Sequence, residues 1–249
     1  MKVLSKNNKV IIADGHAIEW QGGNGIPLKV LTRNNKLLLA DGKALRNPKL
    51  PTIYQQVKYI SATSNNGAYI DLGIQYANGC TLEIGWVYTG NSLQLFGATA
   101  DSGKYRCLLS AHFNGVGMSY YGTINNNFSY IQYPPNDTTV GKVMNQRAVY
   151  NSNGYIEDLD TGEKKNFNIQ DYSVSNNLFL LGQNYNGNYR GNGLKQITYF
   201  KYADKNGTML RDMIPCYRKS DNVIGMFDLV SQTFFTNAGT GVFTVGEDA

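Results

Sequence analysis

The residues whose types and spacing most invite catalysis are the clustered carboxylates of YIEDLDTGEK: Glu157, Asp158, Asp160 and Glu163. An acid and a nucleophile about 5 Å apart are what retaining glycoside hydrolysis requires. The local pattern argues against that use. Asp160-Thr161-Gly162-Glu163 reads as a hairpin turn, and strand alternation sends Glu157 and Asp158 to opposite faces. His16 and His112 are the only histidines, Cys107 lies shortly before His112, and no serine occupies a Gly-x-Ser-x-Gly elbow. Neither a nucleophilic triad nor a histidine-based metal site follows, so no catalytic residue and no cofactor is expected. Cys80, Cys107 and Cys216 are far apart and outside any CxxC spacing, and read as reduced, buried thiols.

A different chemistry is written in SYYGTINNNFSYIQY (Ser119 to Tyr133) and QNYNGNYRGNG (Gln183 to Gly193). Tyrosine rings stack on sugar faces, and amides hydrogen-bond to hydroxyl groups. Read as loops, the two segments nominate Tyr120, Tyr121, Tyr185, Tyr189 and Arg190 as a carbohydrate-binding set. The competing reading is that Asn and Gly make turns while the tyrosines pack against neighbouring strands or subunits.

These residues need elements to hold them, and the composition says which. Only 16% of the 249 residues are charged, against a usual share of about 25%. Asn, Gly, Ser and Thr fill the difference, as in turn-rich β proteins. From Tyr54 onward, short alternating segments such as TLEIGWVY, LQLFGA, YRCLLSAHF and LKQITYFKYA recur between Gly, Asn and Asp turns. No amphipathic helical stretch of about ten residues or more interrupts them, which predicts an all-β sandwich or jelly roll. The first residues are organised differently: KVLSKNNKVIIADGHA from Lys2 reappears as KVLTRNNKLLLADGKA from Lys29. Each copy predicts a small hairpin around Asn-Asn, followed by an Asp-Gly turn. Such a hairpin is marginal alone. Residues 1–46 are therefore expected to be an attachment or oligomerisation module, with a domain covering 50–249.

Two long stretches carry a resemblance. LPTIYQQVKYISATSNNGAYIDLGI (Leu50 to Ile74) resembles the opening of laminin-G-like, concanavalin-type domains of phage and gut-bacterial surface proteins. The closing stretch from Leu194 to Phe243 is similar to the same family through an Arg-Asp-x-Ile-Pro-Cys element, a Gly-x-Phe-Asp hairpin and a terminal Asn-Ala-Gly-Thr-Gly. The resemblance implies a concanavalin-like jelly-roll sandwich. It also suggests a calcium site in some members, for which Asp101 in the ADSGK turn is the one candidate, with a plain turn residue as the simpler reading. Read physically, Pro215 ends an apolar strand, two strands flank Ser231-Gln232, and the tail from Val242 adds a last strand at a sheet edge.

Charge and context narrow the partners. The net charge of +5 is scattered, with no basic run to track phosphates, so nucleic acid is not expected. The N-terminus lacks the apolar core of a secretion signal, and no run is long enough for a membrane helix. An adhesin-like body without export fits a bacteriophage virion component released by lysis. The expected partners are other virion proteins, sister subunits in a homo-oligomer such as a trimer, and a host-surface glycan.

Overall fold

The two copies of the N-terminal repeat place strands at equivalent repeat positions: β1 (Leu4–Lys6) and β2 (Lys9–Ile11) in the first, β4 (Leu31–Arg33) and β5 (Lys36–Leu38) in the second. β1 pairs antiparallel with β2 through Lys6↔Lys9, and β4 with β5 through Arg33↔Lys36; the Asn-Asn dipeptides lie outside the described residues. β3 (Ala17–Glu19) adds to β2. This is a computed structural model, and it describes the backbone of these five strands and of residues 50–63, 67–90, 93–100, 105–113, 116–124, 127–133, 139–167, 172–191 and 193–249. Side chains are described within the residues from 50 onward, except 93, 100, 105, 106, 110–113, 116–124, 127–133 and 167. The chain divides into two compact units, Met1–Lys49 and Leu50–Ala249.

The second unit carries β6 (Tyr54–Gln56), β7 (Ile60–Ala62), β8 (Ile70–Ala77), β9 (Thr81–Val87), β10 (Leu93–Ala100), β11 (Tyr105–Phe113), β12 (Val116–Ile124), β13 (Asn127–Tyr133), β14 (Val143–Val149) and β15 (Gly154–Asp158). They are followed by β16 (Lys164–Phe167), β17 (Ser173–Leu180), β18 (Gln183–Tyr185), β19 (Asn188–Arg190), β20 (Lys195–Ala203), β21 (Met209–Arg218), β22 (Ile224–Asp228), β23 (Thr233–Thr236) and β24 (Thr244–Val245). No helix occurs among the described residues. One sheet runs β13-β12-β11-β10-β17-β8; the other runs β16-β15-β14-β9-β20-β21-β22-β23, with β6 and β7 attached to β21 and β20. Pairing is antiparallel throughout, except where β18 runs parallel to β10 through Ala98↔Asn184 and Thr99↔Tyr185. The chain is thus an all-β jelly-roll sandwich.

Alternation makes the sandwich. Along β14, Met144, Gln146 and Ala148 are buried while the residues between them are not; along β9, Leu82 and Ile84 are buried with Glu83 between them less so, and the strand is then buried throughout from Ile84 to Val87. From the other sheet come Ile70, Leu72, Leu95, Ala98, Leu178 and Leu180, and the two layers meet where the Phe96 and Phe200 rings lie 5.3 Å apart. The buried amide of Gln146 accepts a 3.1 Å hydrogen bond from Trp86 Nε1, satisfying both groups.

Pro215 does not end a strand: β21 runs through it to Arg218. β21 changes neighbour there, pairing with β20 through Met209–Met213 and with β6 through Cys216–Arg218. At the changeover a missing backbone N–H costs no ladder bond, and the Pro215 carbonyl accepts from Val57 N at 3.1 Å. β22 and β23 flank Ser231-Gln232, and β24 adds to β7 at Ile60 and Ser61.

Candidate ligand-binding surface

Within the segment read as a loop, Gln183 to Arg190 is a hairpin of β18 and β19. Tyr185↔Asn188 brackets a two-residue turn in which Asn186 (φ 50°) and Gly187 (φ 85°) are both left-handed, the Asn-Gly arrangement of a type I′ turn. Asn184 braces it from below, accepting from Gly187 N at 2.8 Å and donating to Asn177 O at 3.0 Å. The hairpin therefore presents its side chains from a fixed backbone.

Two of the nominated residues meet there. The Arg190 guanidinium lies over the Tyr185 ring, 4.1 Å from its centroid, with Arg190 exposed and Tyr185 partly so. Tyr189 serves a different purpose. Its ring stacks on Tyr69 at 5.2 Å and 15°, and Tyr69 stacks in turn on Phe179 at 4.1 Å and 22°. The Lys195 ammonium donates to the Tyr189 hydroxyl at 3.2 Å, and Lys195 is fully buried. Gly182 and Gly191 leave the room this side chain fills: a Cβ at Gly182 would collide with the ring and one at Gly191 with the hydroxyl. Tyr189 thus fastens the hairpin to the sandwich. Tyr120 and Tyr121 lie on β12, also a strand and not a loop, with β11 and β10 between it and β18; their side chains lie outside the described residues.

The acidic cluster is tied into architecture. Glu157 accepts ion pairs from Arg147 at 3.1 Å and Lys164 at 3.3 Å. Asp158 turns to the other face, is buried, and accepts Asp160 N and Thr161 N through Oδ1. Asp160 holds the Asn145 amide at 2.9 Å. Glu157 sits within β15 and Glu163 beyond its end, which does not make the close, convergent pair that hydrolysis needs. Asp101, His16 and the His112 side chain lie outside the described residues. Cys80, Cys107 and Cys216 are buried and unbridged, and burial pushes the Cys80 and Cys216 thiols up to about 12, which keeps both protonated.

No family model matches the sequence, and no curated protein matches it either. Among solved structures the chain is similar to chicken galectin 2, at 12% identity over 55% of this chain and 98% of that one, with a TM-score of 0.35. It is similar also to an ancestral congerin at 14% identity (52% and 95% covered, TM-score 0.32) and to a single-substitution variant of congerin II at 17% (52% and 97%, TM-score 0.31).

The closing motifs are scaffold. Arg211 reaches across to the first sheet and donates to Leu72 O through Nε at 3.1 Å and Nη2 at 2.7 Å. Asp228, fully buried, accepts from the backbone N of Asp212, Val230 and Ser231. Asn237 accepts from Tyr69 N and Gly239 N and donates to the carbonyls of Gly239 and Gly241. Sequence reasoning missed Tyr69 and Lys195 at the hairpin. Tyr69 belongs to a stretch read only as an opening strand, and Lys195 looks like any other strand lysine until the fold buries it.

Proposed function

We propose that this chain is a non-catalytic recognition protein whose jelly-roll domain binds glycan at the β18–β19 hairpin. Its N-terminal repeat unit would attach it to a larger particle. The carrying observation is the Tyr185–Arg190 pair: an aromatic face and an exposed guanidinium held on a braced type I′ turn. Rigid amphipathic rings bind at low entropic cost, and an exposed fork of donors suits hydroxyl and carboxylate oxygens. The particle we favour is a bacteriophage virion, with the protein as a fibre, tail or capsid-decoration component. That setting rests on the resemblance of the Leu50–Ile74 and Leu194–Phe243 stretches.

Glycan-array screening followed by calorimetry tests the reading. A hit weakened at least about tenfold by Tyr185→Ala and by Arg190→Ala, about 1.4 kcal/mol each, is expected. Tyr189→Phe, which keeps the stacked ring, is expected to leave affinity nearly unchanged. Binding that ignores both hairpin substitutions sinks the site. No binding at all leaves a purely structural decoration role as the better account.

A further inference from the structure

Across the outer face of the larger sheet, one residue from each of six adjacent strands forms a single row: Lys164, Glu157, Arg147, Glu83, Lys201 and Asp212. The register makes each the direct cross-strand partner of the next, from β16 through β15, β14, β9 and β20 to β21. The signs alternate without a break. Four contacts are ion pairs: Lys164–Glu157 at 3.3 Å, Glu157–Arg147 at 3.1 Å, Arg147–Glu83 at 2.6 Å and Lys201–Asp212 at 3.9 Å. At strand spacings of about 4.8 Å the row spans about 24 Å.

A row of alternating charges with an even number of members is antisymmetric about its midpoint, here between Arg147 and Glu83. A two-fold axis along the strands at that midpoint reverses the row, so each charge meets its opposite. Lys164 would face the partner's Asp212, Glu157 the partner's Lys201, and Arg147 the partner's Glu83. The next row on the same face, Asn166–Tyr155–Val149–Thr81–Ala203–Met209, sets Val149 against Thr81 at its centre under the same operation. From the charge complementarity of the ionic row we infer that the outer face of β16-β15-β14-β9-β20-β21 is an isologous docking surface for a second copy of this chain. A face of this extent, its charges already paired within the chain, makes a weak and salt-sensitive dimer. The inference is independent of the glycan reading.

Sedimentation equilibrium of the full chain tests it. Self-association is expected at low ionic strength and weakens as salt is raised. Lys201→Glu sets two acids against each other across the axis, and Glu157→Lys sets two bases; each is expected to weaken association at least about tenfold. An equimolar mixture of the two variants, one carrying a fluorophore, is expected to associate again, since each reversed charge then meets its complement. Cooperative melts of both variants show that the sandwich is intact; if either melt broadens, the pair Lys164→Glu and Asp212→Lys, which face each other across the axis, replaces both variants in the same mixing test. A monomer under all salt conditions overturns the proposal. So does association by any other route that is insensitive to both reversals, or a mixture that does not recover.

Discussion

Lys195 shows how far one residue's environment can depart from its sequence context. Its ammonium is buried against the Tyr189 hydroxyl, and burial pulls it from 10.5 down to about 8. The unfolded chain therefore binds more protons than the folded one between about pH 8 and 10.5, so this residue makes stability rise with pH across that window, by about 3 kcal/mol at most. The thiols oppose it from about pH 9 upward: Cys80 and Cys216, raised from 9.0 to about 12, stay protonated in the fold while the unfolded chain releases those protons. Lys195→Met is expected to stabilise the protein by about 1–3 kcal/mol at pH 7 and to abolish the rise between pH 8 and 9. Urea titrations of both proteins at pH 7, 8 and 9 check this, and parallel curves contradict it. Asn237 is the opposite case, a polar side chain all of whose bonds are made. Asn237→Ala orphans the amides of Tyr69 and Gly239 and is expected to cost about 2–3 kcal/mol, read from the same titrations.

Among the elements, β10 carries the tightest demand. It is flanked by β11 on one side and by β17 and β18 on the other. Gly97 at its middle has φ 150°, and a Cβ there would sit 2.3 Å from the Cys107 carbonyl and 2.8 Å from Leu108 Cα. Those obstacles are backbone and cannot swing away. Gly97→Ala is expected to destabilise by at least about 2 kcal/mol, and a thermal melt shifted by less than a few degrees would contradict it. The β18–β19 hairpin depends on the same strand, because its parallel pairing to β10 anchors the base of the candidate site.

At the scale of the molecule, the described core runs from Val57 to Phe243 and lies within the second unit. A chain beginning at Leu50 is therefore expected to fold and to melt cooperatively. Differential scanning calorimetry checks this: a broad transition, without the cooperativity of the full chain, would show that residues 1–49 are needed for the sandwich itself. The repeat unit would then be part of the fold and not an attachment module.

Fold class was legible because alternation and turn chemistry are local: β9 alternates polar and apolar through Thr81-Leu82-Glu83-Ile84, and Gly, Asn and Asp turns separate one short strand from the next. The segment from Gln183 to Gly193 was read as a loop because its strands are short and its side chains polar, and neither property reveals that β10 lies alongside to pair with it. Pro215 was misplaced for a related reason, since the exemption from a ladder bond comes from β6 arriving beside β21. Of the nominated residues, Tyr185 and Arg190 were brought together by hairpin register, while Tyr189 was turned inward by Tyr69, a residue far from it in sequence. The alternating row needs the register of six strands at once. Residue types and local periodicity thus determined that the chain forms a two-layer β-sandwich; which polar side chains face a ligand, a sister chain or the core was decided by long-range pairing, which no local pattern encodes.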